Sequence, residues 1–251
     1  MTVYSWAEAH DRPGLLVSVR NSTEAAIALA GRADWIDVKD PQRGALAPPA
    51  IRDVRSVVAT VDGRAPVSVA AGELLAVDRE YLRQLARCDI VLVKLGLAGC
   101  TVGQQRWRVA ARQLGGQIGT VPVCYADWVR AAAPAPAQVL ALAVSRQAPA
   151  ILIDTYIKDG SSLLDCWPME SLTNFVRAVQ QAGIPVVLAG SLGPDTLTRV
   201  RRLRPELVGV RGAVCLPVRL DPISADLVAN VRDLVQQTSH AEIWGADAEF
   251  S

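Results

Sequence analysis

A chain of 251 residues, 51% hydrophobic and 20% charged, has ample material for one large core and is neither a disordered nor a low-complexity sequence. A formal net charge of +1 supplies no general field for nucleic acid or for an anionic membrane surface. No stretch is long and apolar enough to span a bilayer, and Glu8, Asp11 and Arg12 stand where the apolar core of an export signal belongs, so the expected location is the cytoplasm.

In chain order, short runs rich in Val, Ile and Leu alternate with helix-length stretches. Strands are predicted at LLVSV (15–19), WIDVK (35–39), PVSVA (66–70), IVLVKLG (90–96), VPVCY (121–125), AILIDTYI (150–157), VVLAG (186–190) and LVGVRG (207–212). Strands covered on both faces have this composition. Ser22 is predicted to cap the first helix, with Gly31 at its C-terminal end. Pro194 opens DTLTRVRRL, and Asp221-Pro222 opens ISADLVANVRDLV. The alanine-proline run 131–137 reads as a loop inside one βα unit.

Eight strands, each followed by a helix, predict a single-domain (β/α)8 TIM barrel over residues 1–237, with 238–251 as a C-terminal tail that is peripheral or contacts another subunit of a homo-oligomer. An open doubly wound sheet is the alternative. No GxGxxG or P-loop follows the first strand, which weighs against the nucleotide-binding open sheets. Five scattered cysteines with no CxxC spacing give neither a zinc site nor a disulfide framework, and no metal is expected. His10 and His240 lie away from the predicted strand ends and read as surface residues.

The lysines carry more information. Only three of 26 basic residues are lysine: Lys39, Lys94 and Lys158. Arginine cannot deprotonate near neutral pH or form a Schiff base, whereas a desolvated lysine does both. The three follow or end the second, fourth and sixth predicted strands. The active site of such a barrel is at the C-terminal strand ends, and alternate strands share layers of inward side chains, so three amines can meet there. Crowded ammonium groups disfavour one another's charge, and at least one pKa should be lowered. Asp37 has the same strand parity as Lys39, and Asp154 the same parity as Lys158 if the sixth strand runs that far. Either carboxylate can position an amine or move protons. Asp40 and Asp159 have the opposite parity and are expected to cap loops.

The seventh and eighth strands end in glycine turns, LAGSLGP and GVRGAVC. Loops there are the usual phosphate site of this fold. Gly190, Ser191 and Gly212 are therefore expected to approach a phosphate through backbone and hydroxyl groups, with Arg211 as the guanidinium fork and Ser18 facing the same space.

With those residues in place, the chain resembles the (5-formylfuran-3-yl)methyl phosphate synthase family. The resemblance rests on LLVSV, ADWIDVKDPQRGALA, VKLGL, ILIDTYIKDGSSLLD, LAGSL and VGVRGAVC, over residues 15–215. It implies a lyase that condenses two molecules of glyceraldehyde 3-phosphate, with loss of phosphate and water, in methanofuran biosynthesis, with no metal or organic cofactor. Lys39 matches the family's Schiff-base lysine, and Asp37, Lys94, Asp154 and Lys158 match its other active-site residues. The GALA after the second strand departs from the family pattern, as do the alanine-proline insert and the tail. Two other readings fit the residues alone: a Schiff-base aldolase on sugar phosphates, and a non-catalytic barrel that binds a phosphorylated metabolite.

Overall fold

In a computed structural model, which describes residues 12–101, 118–216 and 219–237, eight parallel strands pair in chain order and the eighth closes on the first. They are β1 (Gly14–Val19), β2 (Trp35–Val38), β3 (Val67–Glu73), β4 (Leu92–Gly96), β5 (Gly119–Tyr125), β6 (Ile151–Asp154), β7 (Val186–Leu188) and β8 (Leu207–Val210). The described helices are α1 (Ser22–Ala30), α2 (Ile51–Val61), α3 (Arg79–Leu85), α4 (Pro136–Ser145), α5 (Leu163–Cys166), α6 (Met169–Gln181), α7 (Pro194–Val200) and α8 (Ala225–Gln236). None is long and apolar enough to cross a membrane. His10, His240 and the tail 238–251 lie outside the described residues.

The period-2 alternation of the strands separates two cores. Leu16, Trp35, Leu92, Val121, Leu152 and Val187 fill the barrel interior. Their neighbours, among them Leu15, Val17, Ile36, Val93, Ile153 and Val208, face the helices. Each such aliphatic side chain contributes roughly 1.5–3 kcal/mol by leaving water. The interior layers turn polar only towards the C-terminal strand ends, where Ser18, Asp37, Ser68, Lys94 and Asp154 are buried.

Several boundaries differ from the sequence expectation. Asn21, not Ser22, caps α1, because its side chain accepts the Glu24 amide. Ser224, not Asp221-Pro222, caps α8, and Ile223 is still paired with Cys215 in an antiparallel bridge. Pro136 is not in a loop but opens α4. β6 ends at Asp154 because the next amides find carboxylates in place of a neighbouring strand. Thr155 N–H donates to Asp154 Oδ1, and Tyr156 and Ile157 N–H donate to the two oxygens of Asp127.

The seam between β8 and β1 is held by charge as well as by pairing. Arg211 follows β8, and its Nη1 and Nη2 donate to the two oxygens of Glu24 on α1 at 2.8 and 3.2 Å. Glu24 also accepts from the Arg20 amide and side chain. Burial pushes the Glu24 carboxyl up, but the two arginines outweigh it and hold its pKa below the usual value. Removing one partner of a buried pair leaves the other charge uncompensated, which costs about 3–5 kcal/mol. Glu24→Ala is therefore expected to lose that much in urea unfolding. A midpoint unchanged from the parent would show that Arg211 does not need its carboxylate.

Candidate active site

Lys39, Lys94, Asp154 and Lys158 line one cavity of about 450 Å³ at the C-terminal mouth of the barrel. Each is placed by a strand end. Lys94 sits within β4, Asp154 closes β6, Lys39 is the first residue after β2, and Lys158 reaches back from the loop after β6.

Asp37 lies beneath them, fully buried, between its register neighbours Ser18 on β1 and Ser68 on β3. Ser18 Oγ donates to Asp37 Oδ2 at 3.0 Å, and Ser68 Oγ to Oδ1 at 2.9 Å. The direct ion pair of Asp37 goes to Lys94 Nζ, 2.5 Å from Oδ2, and not to Lys39. Strand parity alone pointed to Lys39. The small Ser68 on the intervening strand lets the long Lys94 side chain of β4 reach the carboxylate across the interior.

The second carboxylate repeats the arrangement. Lys158 Nζ donates to Asp154 Oδ1 at 2.8 Å and to Thr155 Oγ1 at 2.9 Å. The pair forms although β6 ends at Asp154, because the turn at 155–157 folds the lysine back over its own strand. Burial raises the Asp154 carboxyl, yet Lys158 and Lys39 outweigh it, and the group is held below the usual carboxylate range. Asp40 and Asp159 cap their loops, accepting the amides of Gln42 and Ser161 respectively.

Lys39 is party to neither ion pair. Burial pulls its ammonium pKa down to about 7; Asp154 and Asp37 pull the other way, while Lys94 and Lys158 add to the depression. A large fraction of this amine is therefore neutral and nucleophilic near neutral pH.

Across the cavity stand the glycine turns. Gly190 has φ +110°, and a Cβ there would lie 3.2 Å from Thr155 N, so both the backbone conformation and the close approach require glycine. Ser191 follows at φ +51° and is exposed to the cavity mouth. Gly212 lines the same space. One expectation for this wall needs correction. Arg211 borders the cavity, but its five N–H groups are engaged: Nε with Arg219 O, Nη1 with Ser18 O and Glu24, Nη2 with Glu24 and Asp221 O. No fork remains for a phosphate. Ser18 faces the same space, as expected, and spends its one hydroxyl proton on Asp37.

Sequence reasoning missed three contributors. Ser68 and Thr155 hold the two carboxylate–lysine pairs, and Ser68 could have been found from its inward parity in PVSVA. Arg219, in the loop after β8, lines the cavity beside Gly212 and carries no motif signal. On the far rim, Tyr125 Oη–H donates to Glu73 Oε1 at 2.6 Å and Ala98 N–H to Oε2 at 2.8 Å. This clamp ties the ends of β3, β4 and β5, and only a glycine at 96 leaves room for the Glu73 carboxylate. Among the described residues, no group of three or more His, Cys, Asp and Glu side chains is arranged to hold a metal ion.

Residues 15–232 match the family model described as 4-HFC-P synthase. The chain is 32% identical over 213 residues to (5-formylfuran-3-yl)methyl phosphate synthase of Methanopyrus kandleri, covering 81% of this chain and 90% of that protein. It is 31% identical over 228 residues to the enzyme of the same name from Methanosarcina barkeri, covering 85% and 95%. Among solved structures, thiamine phosphate pyrophosphorylase from Pyrococcus furiosus superposes with a TM-score of 0.59 at 14% identity, covering 94% of this chain and 99% of that one. At that identity the likeness is one of fold.

The depressed Lys39 amine can be measured directly, since the chain contains three lysines. In protein labelled with 13C at lysine Cε, the Lys39 resonance is expected to titrate near pH 7. Lys94→Met removes a like charge and frees the Asp37 anion, so the midpoint should rise, by about one unit or more. Asp154→Asn removes an anion and frees the Lys158 cation, so it should fall. Opposite movements, or no resonance titrating below pH 9, would refute the assignment.

Proposed function

Because the chain belongs to the 4-HFC-P synthase family, we propose that it condenses two molecules of glyceraldehyde 3-phosphate to (5-formylfuran-3-yl)methyl phosphate through an imine on Lys39. On this reading it is a carbon–oxygen lyase that supplies the furan of methanofuran, releasing one phosphate and two waters for each ring made. The observation that carries the reading is the state of Lys39, a buried amine with a pKa near 7, flanked by two carboxylates that each hold a different lysine.

On this reading each group has a task. The neutral Lys39 amine adds to the aldehyde of one substrate and loses water to form the imine. The imine makes the adjacent C–H acidic, and a carboxylate beside it takes that proton. The resulting enamine carbon attacks the aldehyde of the second substrate. Lys94 and Lys158, held at fixed positions by Asp37 and Asp154, can return protons to the oxygens that leave as water and phosphate. Asp37 is too deeply buried to reach substrate itself, so its part is to hold Lys94 and to accept or supply protons through it.

Lys39→Arg keeps the charge and removes the imine chemistry. It is expected to abolish the near-ultraviolet absorbance of the conjugated furan aldehyde formed from glyceraldehyde 3-phosphate, and to abolish the covalent adduct that borohydride traps in the parent, with the fold intact by circular dichroism. An active Lys39→Arg variant would remove Lys39 as nucleophile. A trapped adduct with an aldol product and no furan would make the protein a Schiff-base aldolase. No adduct on any lysine of the parent would leave a binding barrel.

A further inference from the structure

We infer that Arg219, in the loop after β8, is the residue that receives the substrate phosphate and so selects phosphorylated over plain aldehydes. The identity of the substrate rests on the reading above; the site itself rests on the loop geometry.

Arg219 is half-buried and borders the same cavity as the lysines. Its Nη1 donates to Pro41 O, in the loop after β2, at 3.3 Å. Its Nη2 is buried and has no hydrogen-bond partner among the described residues. A buried guanidinium N–H without an acceptor is uncommon in a folded chain, and its retention calls for a partner that arrives with function. Burial works against the charge of Arg219, and Asp154, already paired to Lys158, offsets only part of that. A phosphate dianion is a matching acceptor, because guanidinium fits its oxygens and carries its charge at every physiological pH.

The rest of the loop is built to hold this side chain in place. Arg219 O accepts from Arg211 Nε at 3.1 Å and from Cys215 Sγ at 3.4 Å. Leu220 O accepts from Arg20 Nη1 at 2.7 Å, and Asp221 O accepts from Arg211 Nη2 at 3.3 Å. Three consecutive carbonyls are thus pinned by side chains that belong to the barrel seam, and Arg211, expected to bind the anion, positions the residue that does. Gly212 lies against the stem of Arg219, where a Cβ would stand 3.8 Å from Arg219 Cβ, and Gly190 and Ser191 face the same cavity from the loop after β7. The phosphate pole is therefore on the β7–β8 side of the cavity that Lys39 also lines, and a three-carbon aldehyde phosphate held there can turn its carbonyl towards Lys39.

The test uses the full chain and inorganic phosphate as probe. Phosphate affinity is measured calorimetrically for the parent, Arg219→Gln and Arg219→Lys, and borohydride trapping is run in parallel with glyceraldehyde 3-phosphate and with glyceraldehyde. Arg219→Gln is expected to lose phosphate affinity by about tenfold or more, the equivalent of one charge-assisted bond, with Arg219→Lys in between. Trapping of glyceraldehyde 3-phosphate should fall by a similar factor, while trapping of glyceraldehyde stays within about twofold, as expected of an interaction it never makes. Phosphate binding by Arg219→Gln within twofold of the parent, no phosphate binding by the parent, or equal losses with both aldehydes would overturn the assignment. A parent that binds phosphate through Arg219 but traps no adduct would uphold it and sink the Schiff-base reading instead.

Discussion

Three lysines and two buried carboxylates meet at the mouth of the barrel, and having one amine more than there are carboxylates to pair it governs the site. An ammonium group buried without an anion is costly, and the lysine responds by giving up its proton. Asp37 is bound to Lys94 and Asp154 to Lys158, each at hydrogen-bond distance, so the deficit falls on Lys39. Burial depresses the Lys39 pKa, and Asp154 and Asp37, each bound to another lysine, offset only part of it. Ser18 and Ser68 turn Asp37 towards Lys94, and Thr155 turns Lys158 towards Asp154.

The two kinds of basic residue are divided by what each can do. Arginine cannot release its proton, and in the described structure it serves as a fastener: Arg211 to Glu24 and to three backbone carbonyls, Arg20 to Glu24 and Leu220, Arg232 to Asp34. Lysine occurs only at the mouth of the barrel, where a change of charge state is useful. The fasteners also bear on the site. The Glu24–Arg211 pair joins the first helix to the end of the last strand, and the same guanidinium fixes the loop that carries Arg219. One buried ion pair thus adds to the strand pairing that closes the barrel and fixes the loop on the β8 side of the cavity.

Much of this was legible in the sequence, for a physical reason. Strand runs such as LLVSV and VVLAG are buried on both faces and must be continuously apolar, so all eight could be found, with ends in error by up to three residues. Lys39, Lys94 and Lys158 stood out because arginine replaced lysine everywhere else. The particular pairing of carboxylate and amine was not legible. Parity tells which face a residue is on, whereas Asp37 chose Lys94 through a gap left by Ser68 on a third strand. Arg211 misled for a similar reason. A guanidinium after a glycine turn looks the same in sequence whether its donors are free or spent, and the carboxylate that takes them lies 187 residues away. Arg219 gave no signal because its placement is made by backbone carbonyls, which have no sequence signature.

The two kinds of cation at this cavity respond differently to their surroundings. Arg219 keeps its charge across the physiological range, so an anion drawn to it would be held by a force that does not titrate. Lys39 does titrate, around neutral pH, and its state is set by charges to which a bound phosphate would add. A dianion at Arg219 would add negative potential to the cavity and so favour the protonated form of Lys39. Lys94 and Lys158 oppose that shift, because both lower the Lys39 pKa. An arginine that never titrates can thus draw an anion, while the neighbouring ammonium groups favour the neutral form of one lysine in the same small cavity.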